Sequence, residues 1–168
     1  RTLEEVEYYR RSIVEPARRH EGIALGLTLG DVVNDTLDLY PALNRVTTSL
    51  GIPWLHAPGN HVIDFDMPDD AGSLINFRRT FGPDTVAWEL PGHAFIVLDD
   101  VIWQPHTSPR YIGGLREDQF TFLENYLATL ADDTRVVMAL HIPLFDDPGE
   151  TFRHADRARL FELLRRFP

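Results

Sequence analysis

No cysteine occurs among the 168 residues. Its absence excludes disulfides, thiolate zinc sites and cysteine nucleophiles together. No apolar run reaches the length that crosses a bilayer. Internal repeats and low-complexity tracts are missing as well. So is any surplus of positive charge: 26 acidic residues against 16 basic ones give a net charge of −10. That sign is unsuited to broad binding of nucleic acid, which takes a basic surface. It does not exclude an anionic substrate held through cations, because a bound cation dominates its local field.

What is present suits one globular domain over residues 1–168. The hydrophobic fraction is 43 % and the charged fraction 25 %, enough apolar residues for a sizeable core. The chain opens on Arg1 in a charged helical pattern. It is expected to be a piece of a longer protein, with a targeting segment or flanking domains outside it. Proline and glycine gather at Pro53–Gly59, Pro105–Gly114 and Pro143–Gly149, which read as loops.

Between the loops, helical and strand patterns alternate. Residues 4–20 read as a helix that Pro16 kinks or ends. Residues 36–50 read as a helix with Pro41 in its first turn. A third helix ends at Gly82. The strongest covers residues 116–130, where Phe120, Leu123, Leu127 and Leu130 recur at helical spacing behind an acidic first turn. An amphipathic helix follows at 155–167. Apolar runs at 22–29, 52–57, 93–99 and 134–141 read as strands. They lack polar alternation, so both faces are covered. Strands alternating with helices predict an α/β layered sandwich.

Each apolar run ends on a polar group. The first delivers Asp31, the second Asn60 and His61, the third Asp99 and Asp100, and the fourth His141. In open α/β sheets, ligands bind beyond the carboxyl ends of the strands. Were these four strands parallel neighbours, Asp31, Asn60, His61, Asp99 and His141 would converge there. Oxygen and imidazole donors without thiolate suit Mn, Fe or Zn, and also Mg or Ni. A plainer reading stands beside this one: an Asp after Gly is commonly a helix cap or turn former, and Asp31 and Asp35 both fit that. His20, His56, His93, His106 and His154 read as surface residues or as residues behind the site, His56 being the hardest to place. The segment Pro109–Gln119, with Tyr111 and two glycines, reads either as a loop lining the site or as a plain surface loop.

In order, "GDVVND" (30–35), "GNH" (59–61) and "HIPLF" (141–145) resemble the calcineurin-like metallophosphoesterase superfamily. "FIVLDD" and "GGLREDQFTFLENYL" resemble its bacterial branch. The resemblance covers nearly the whole chain. It implies that Asp31 bridges two divalent metal ions (Mn, Fe, Zn or Mg) and that Asn60 and His141 ligate the second. Asn60 would bind through its amide oxygen. His61 would stand near the leaving group as general acid or transition-state stabiliser. The implied reaction is hydrolysis of a phosphate ester, with two cations clamping the phosphoryl oxygens and activating water. Related bacterial chains are often exported, which leans the expectation toward an exported or periplasmic protein.

Three departures from the family pattern stand out. The Asp-x-His motif of its first strand is not in this chain, nor is the Gly-His-x-His motif after its last helix. The domain is therefore expected to be incomplete at both ends, with the missing ligands in flanking sequence. The third departure is Val62, where the family commonly has a carboxylate able to orient the histidine. Asp64 or Asp66 is the expected substitute. A degenerate domain that binds a ligand or partner without catalysis is the competing function, and a purely structural α/β domain is a third. Asp99 and Asp100 read as hydrogen-bond acceptors rather than ligands, so Asp31→Ala is expected to abolish hydrolysis and Asp100→Ala to spare it.

Overall fold

The computed structural model describes residues 2–145 and 154–167. Helix α1 (Leu3–Tyr9) begins at Thr2, whose hydroxyl accepts the N–H of Glu4. It widens into a π-helical turn at Arg10–Val14 and ends after Glu15–Ala17. It ends within two residues of Pro16, which cannot donate to the helical ladder. Strand β1 (Gly26–Leu29) follows, then helix α2 (Tyr40–Thr48) with proline in its first turn, then β2 (Trp54–Ala57). Helix α3 (Ile75–Phe81) stops at Gly82, whose φ of +96° few other residues adopt.

Strands β3 (Val86–Leu90) and β4 (His93–Val97) form an antiparallel pair, and β5 (Val101–Trp103) and β6 (Tyr111–Gly113) form another. Helix α4 (Glu117–Leu127), strand β7 (Arg135–Ala139) and helix α5 (Arg157–Leu164) complete the described chain. Three of these strands lie outside the four apolar runs of the sequence; one of them, 111–113, falls in a segment read as a loop. All three are short or half exposed, so their apolar pattern is thin.

β1 pairs parallel with β2 in one sheet, while β4 is flanked by antiparallel β3 and parallel β7 in a second. The strands expected to be four neighbours are therefore two parallel pairs. They meet through Ala57, Val97 and Ala139, each at most 1 % exposed. Small side chains let the backbones approach closely. The carboxyl ends of both pairs thus reach the same region.

Two larger cores hold the layers. Phe120, Leu123 and Leu127 on one face of α4 pack with Ile96, Leu98, Leu160 and Leu163. Burying each such side chain contributes about 2 kcal/mol. The other core gathers Val6, Val33, Tyr40, Val62, Ile63, Phe77, Trp103 and Ile142. It lies directly under the loops that carry the candidate site. The architecture is a mixed α/β layered sandwich. Among the described residues, no helix is long and apolar enough to cross a membrane.

Candidate metal centre

The turn after β1 places Asp31 in the left-handed region at φ +47°, and Asp35 at +60°. Such backbone is uncommon for residues other than glycine, and it persists where surrounding contacts hold it. The holding contacts come from the loop after β2. Oδ1 of Asp31 accepts the N–H of His61 at 3.0 Å. The carbonyl of His61 accepts the N–H of Asp35 at 3.1 Å. Neither aspartate caps a helix; each is tied to the Gly59–His61 segment instead.

That segment is a single 3-10 turn, Asn60–Val62, entered from extended Gly59. Its closeness to Asp31 demands glycine. A Cβ on Gly59 would lie 2.6 Å from the backbone nitrogen of Asp31. Gly30 is constrained likewise, with φ +93° and an added Cβ 2.6 Å from Cγ of His141. Three loops therefore interlock at distances that larger residues would prevent.

His141 closes the group. Its Nδ1 lies 3.0 Å from the carbonyl oxygen of Leu29. A carbonyl only accepts, so Nδ1 carries the proton. In the neutral ring Nε2 is then a bare lone pair. It faces Oδ1 of Asn60 at 2.9 Å and Oδ2 of Asp31 at 3.4 Å. In this orientation three electron-rich atoms meet with no hydrogen among them. A cation at their centre satisfies that arrangement, as does a second proton on the ring. Ligands about 2.1 Å from one cation and at right angles are about 3 Å apart, so the spacing fits. The donor set also suits Mn, Fe or Zn.

Among the described residues, no three or more His, Cys, Asp or Glu side chains gather around one point. Asp31 and His141 with the Asn60 amide make part of one coordination shell.

His61 stands beside this group, its side chain 40 % exposed. Its Nδ1 lies 2.7 Å from Oδ1 of Asp35. The carboxylate expected from Asp64 or Asp66 comes from Asp35, through the turn that also carries Asp31. Asp64 is committed elsewhere, accepting from the backbone of Asp66 and the amide of Asn76. Val62 is 1 % exposed within the core, and its carbonyl accepts the hydroxyl of Tyr40. A carboxylate at position 62 would be buried there, which is why the position is apolar in this chain.

Asp99 does not join the site. Its buried carboxylate accepts from Arg116 at 2.6 Å and from the backbone of Val101. Burial pushes its pKa up to about 7, with Arg116 pulling against that. Asp100 lies behind the site as an acceptor, taking the backbone N–H groups of His141 and Ile142, both at 2.9 Å. Burial raises its pKa to about 6, opposed by those two hydrogen bonds. Asp100 is the residue that sets the His141 turn, a role its place at the end of an apolar run only hinted at.

Two histidines read as surface residues or as lying behind the site prove buried. His56 packs its ring 4.4 Å from that of Phe81 inside the fold. Burial lowers its pKa to about 4. His154 is fully enclosed, with Nε2 4.0 Å from Oδ2 of Asp100. Burial lowers its pKa too. His20 and His106 are exposed, and His93 is half-buried on β4.

No family model and no curated protein matches the sequence. The chain is similar in structure to a dimetal phosphatase from Danio rerio, at 19 % sequence identity and a TM-score of 0.62. The match covers 96 % of this chain and 68 % of that one. At this identity the likeness shows the fold alone, a mixed α/β layered sandwich shared with that phosphatase. It does not bear out the bacterial branch expected from the sequence.

Proposed function

We propose that this chain is the core of a metal-dependent phosphoesterase. The observation that carries the reading is the meeting of Nε2 of His141 with the oxygens of Asn60 and Asp31. Asp31, Asn60 and His141 would hold a divalent cation, and the resemblance implies a second, toward which Asp31 would also contribute. Bound divalent cations supply Lewis acidity toward the phosphoryl oxygens and toward water.

The remaining chemistry belongs to the chain's own residues. Asp35 orients the His61 ring through Nδ1. Nε2 is then the end available to donate a proton to a leaving alkoxide. General acid catalysis of this kind contributes on the order of 10²–10⁴-fold. Asp100 fixes the backbone of the His141 turn, and the carbonyl of Leu29 fixes the tautomer of the ring. Flanking domains and an exported location accompany this reading as further proposals.

The thin donor set among the described residues favours one competitor, a degenerate domain that binds without turnover. Hydrolysis of an aryl phosphate by the complete protein carrying residues 1–168 separates the two. The expected result is Mn²⁺-dependent turnover that a chelator abolishes and Asp31→Asn removes. Metal binding without turnover would favour the degenerate domain.

A further inference from the structure

β6 pairs with β5 in the register Trp103–Tyr111, Ile102–Ile112 and Val101–Gly113. Residues two apart on a strand share a face. Gly113 marks which face this is. A Cβ there would lie 2.6 Å from Cγ2 of Ile142, the residue after His141. Tyr111 stands on that same face, half-buried.

The ring of Tyr111 packs against the core that contains Val33, Val62, Ile63 and Ile142. Val33 lies between Asp31 and Asp35, Val62 follows His61, and Ile142 follows His141. That core also holds the chain neighbours of the site residues, so Tyr111 packs on the side of the fold that carries the site. Burial first, then the charges of Asp31 and Asp35, push the phenol pKa up. The hydroxyl keeps its proton through the neutral range.

The site around it is rich in acceptors: the carboxylates of Asp31 and Asp35 and the amide oxygen of Asn60. A phosphoryl group presents only acceptors and needs donors. His61 is one donor on this chain. We propose that Tyr111 is a second, a substrate-contacting residue whose hydroxyl donates to a phosphoryl or ester oxygen held beside Asp31 and His61. This rests on the phosphoesterase reading. The fixed ring makes the contact at small entropic cost, since its packing already restricts its rotamer.

Tyr111→Phe in the complete, Mn²⁺-loaded protein is the test. A neutral donor lost from a charged acceptor is expected to raise KM for an aryl phosphate by roughly 10-fold or more. The inhibition constant of inorganic phosphate should rise by a similar factor. Mn²⁺ affinity and melting temperature should stay at wild-type values, because the ring remains. Tyr111→Leu, which removes the ring, should lower the melting temperature as well. Unchanged KM and unchanged phosphate inhibition in Tyr111→Phe would overturn the proposal. A wild-type protein without turnover would count against the phosphoesterase reading separately. Phosphate binding by calorimetry still decides on Tyr111 in that case. Weaker binding in Tyr111→Phe supports the contact, and equal binding overturns it.

Discussion

Oδ1 of Asp35 lies 2.7 Å from Nδ1 of His61, and the backbone of Asp35 donates to the carbonyl of the same histidine. One turn therefore supplies both the carboxylate that meets His141, from Asp31, and the carboxylate that orients His61. If His61 acts as the acid, Asp35→Asn should lower hydrolysis by about 10–100-fold, the usual cost of removing an orienting partner. Mn²⁺ affinity should barely change. Combining it with His61→Ala should cost no more than His61→Ala alone, because Asp35 acts through that ring. Steady-state kinetics of the two single variants and the double variant check this.

Gly59 is the second place to press. Its backbone, at φ −135°, suits any residue. The obstacle to alanine is therefore the nearness of Asp31 alone. Gly59→Ala should displace Asp31 and weaken Mn²⁺ binding at least about 10-fold, measured by calorimetry. Gly51, at φ +72° with open space around its missing Cβ, is a control position: its change to alanine should cost some stability through backbone strain but leave metal affinity alone.

Asp100 carries a revised expectation. Its carboxylate satisfies the N–H groups of both His141 and Ile142 from a fully buried position. Asp100→Ala strands those two donors and should cost about 2–4 kcal/mol of stability. It should also weaken metal binding by loosening His141. Chemical denaturation and Mn²⁺ titration read the two effects; the sequence alone led to the expectation that Asp100→Ala spares hydrolysis.

His56 sets a pH dependence. Its folded pKa is lowered to about 4, against about 6.5 unfolded. The unfolded chain therefore binds more protons between these values, so stability falls as pH drops through this window. The full effect is about 3 kcal/mol. Asp99 and Asp100 have raised pKa values and act in the opposite direction over part of that range. The comparison that isolates His56 is wild type minus His56→Phe. That difference should be constant above pH 7 and should turn against the wild type toward pH 4.

Legibility of the sequence varied with the range of the interactions involved. The five helical patterns and four apolar strand runs were readable because burial imposes periodicity within a single segment. β3 was not, since Trp88 and Glu89 lie exposed on an edge strand and break the apolar run. β5 and β6 are three residues each, too short to show a period. Asp31, Asn60 and His141 were legible as residues at strand ends, and the fold brings them together. The partner of His61 was not, because Asp35 is 26 positions away and arrives through a left-handed turn. Asp99 was legible as a hydrogen-bond acceptor but not its partner, because Arg116 is 17 positions away.

The claim that Asp31, Asn60 and His141 hold a divalent cation is tested most directly by calorimetric titration of Mn²⁺ into the complete protein, wild type beside Asn60→Ala and His141→Ala. Binding weakened at least about 10-fold in both variants is the expected result, with neither variant less cooperative in thermal unfolding without metal. Mn²⁺ affinity equal to wild type in both would contradict it.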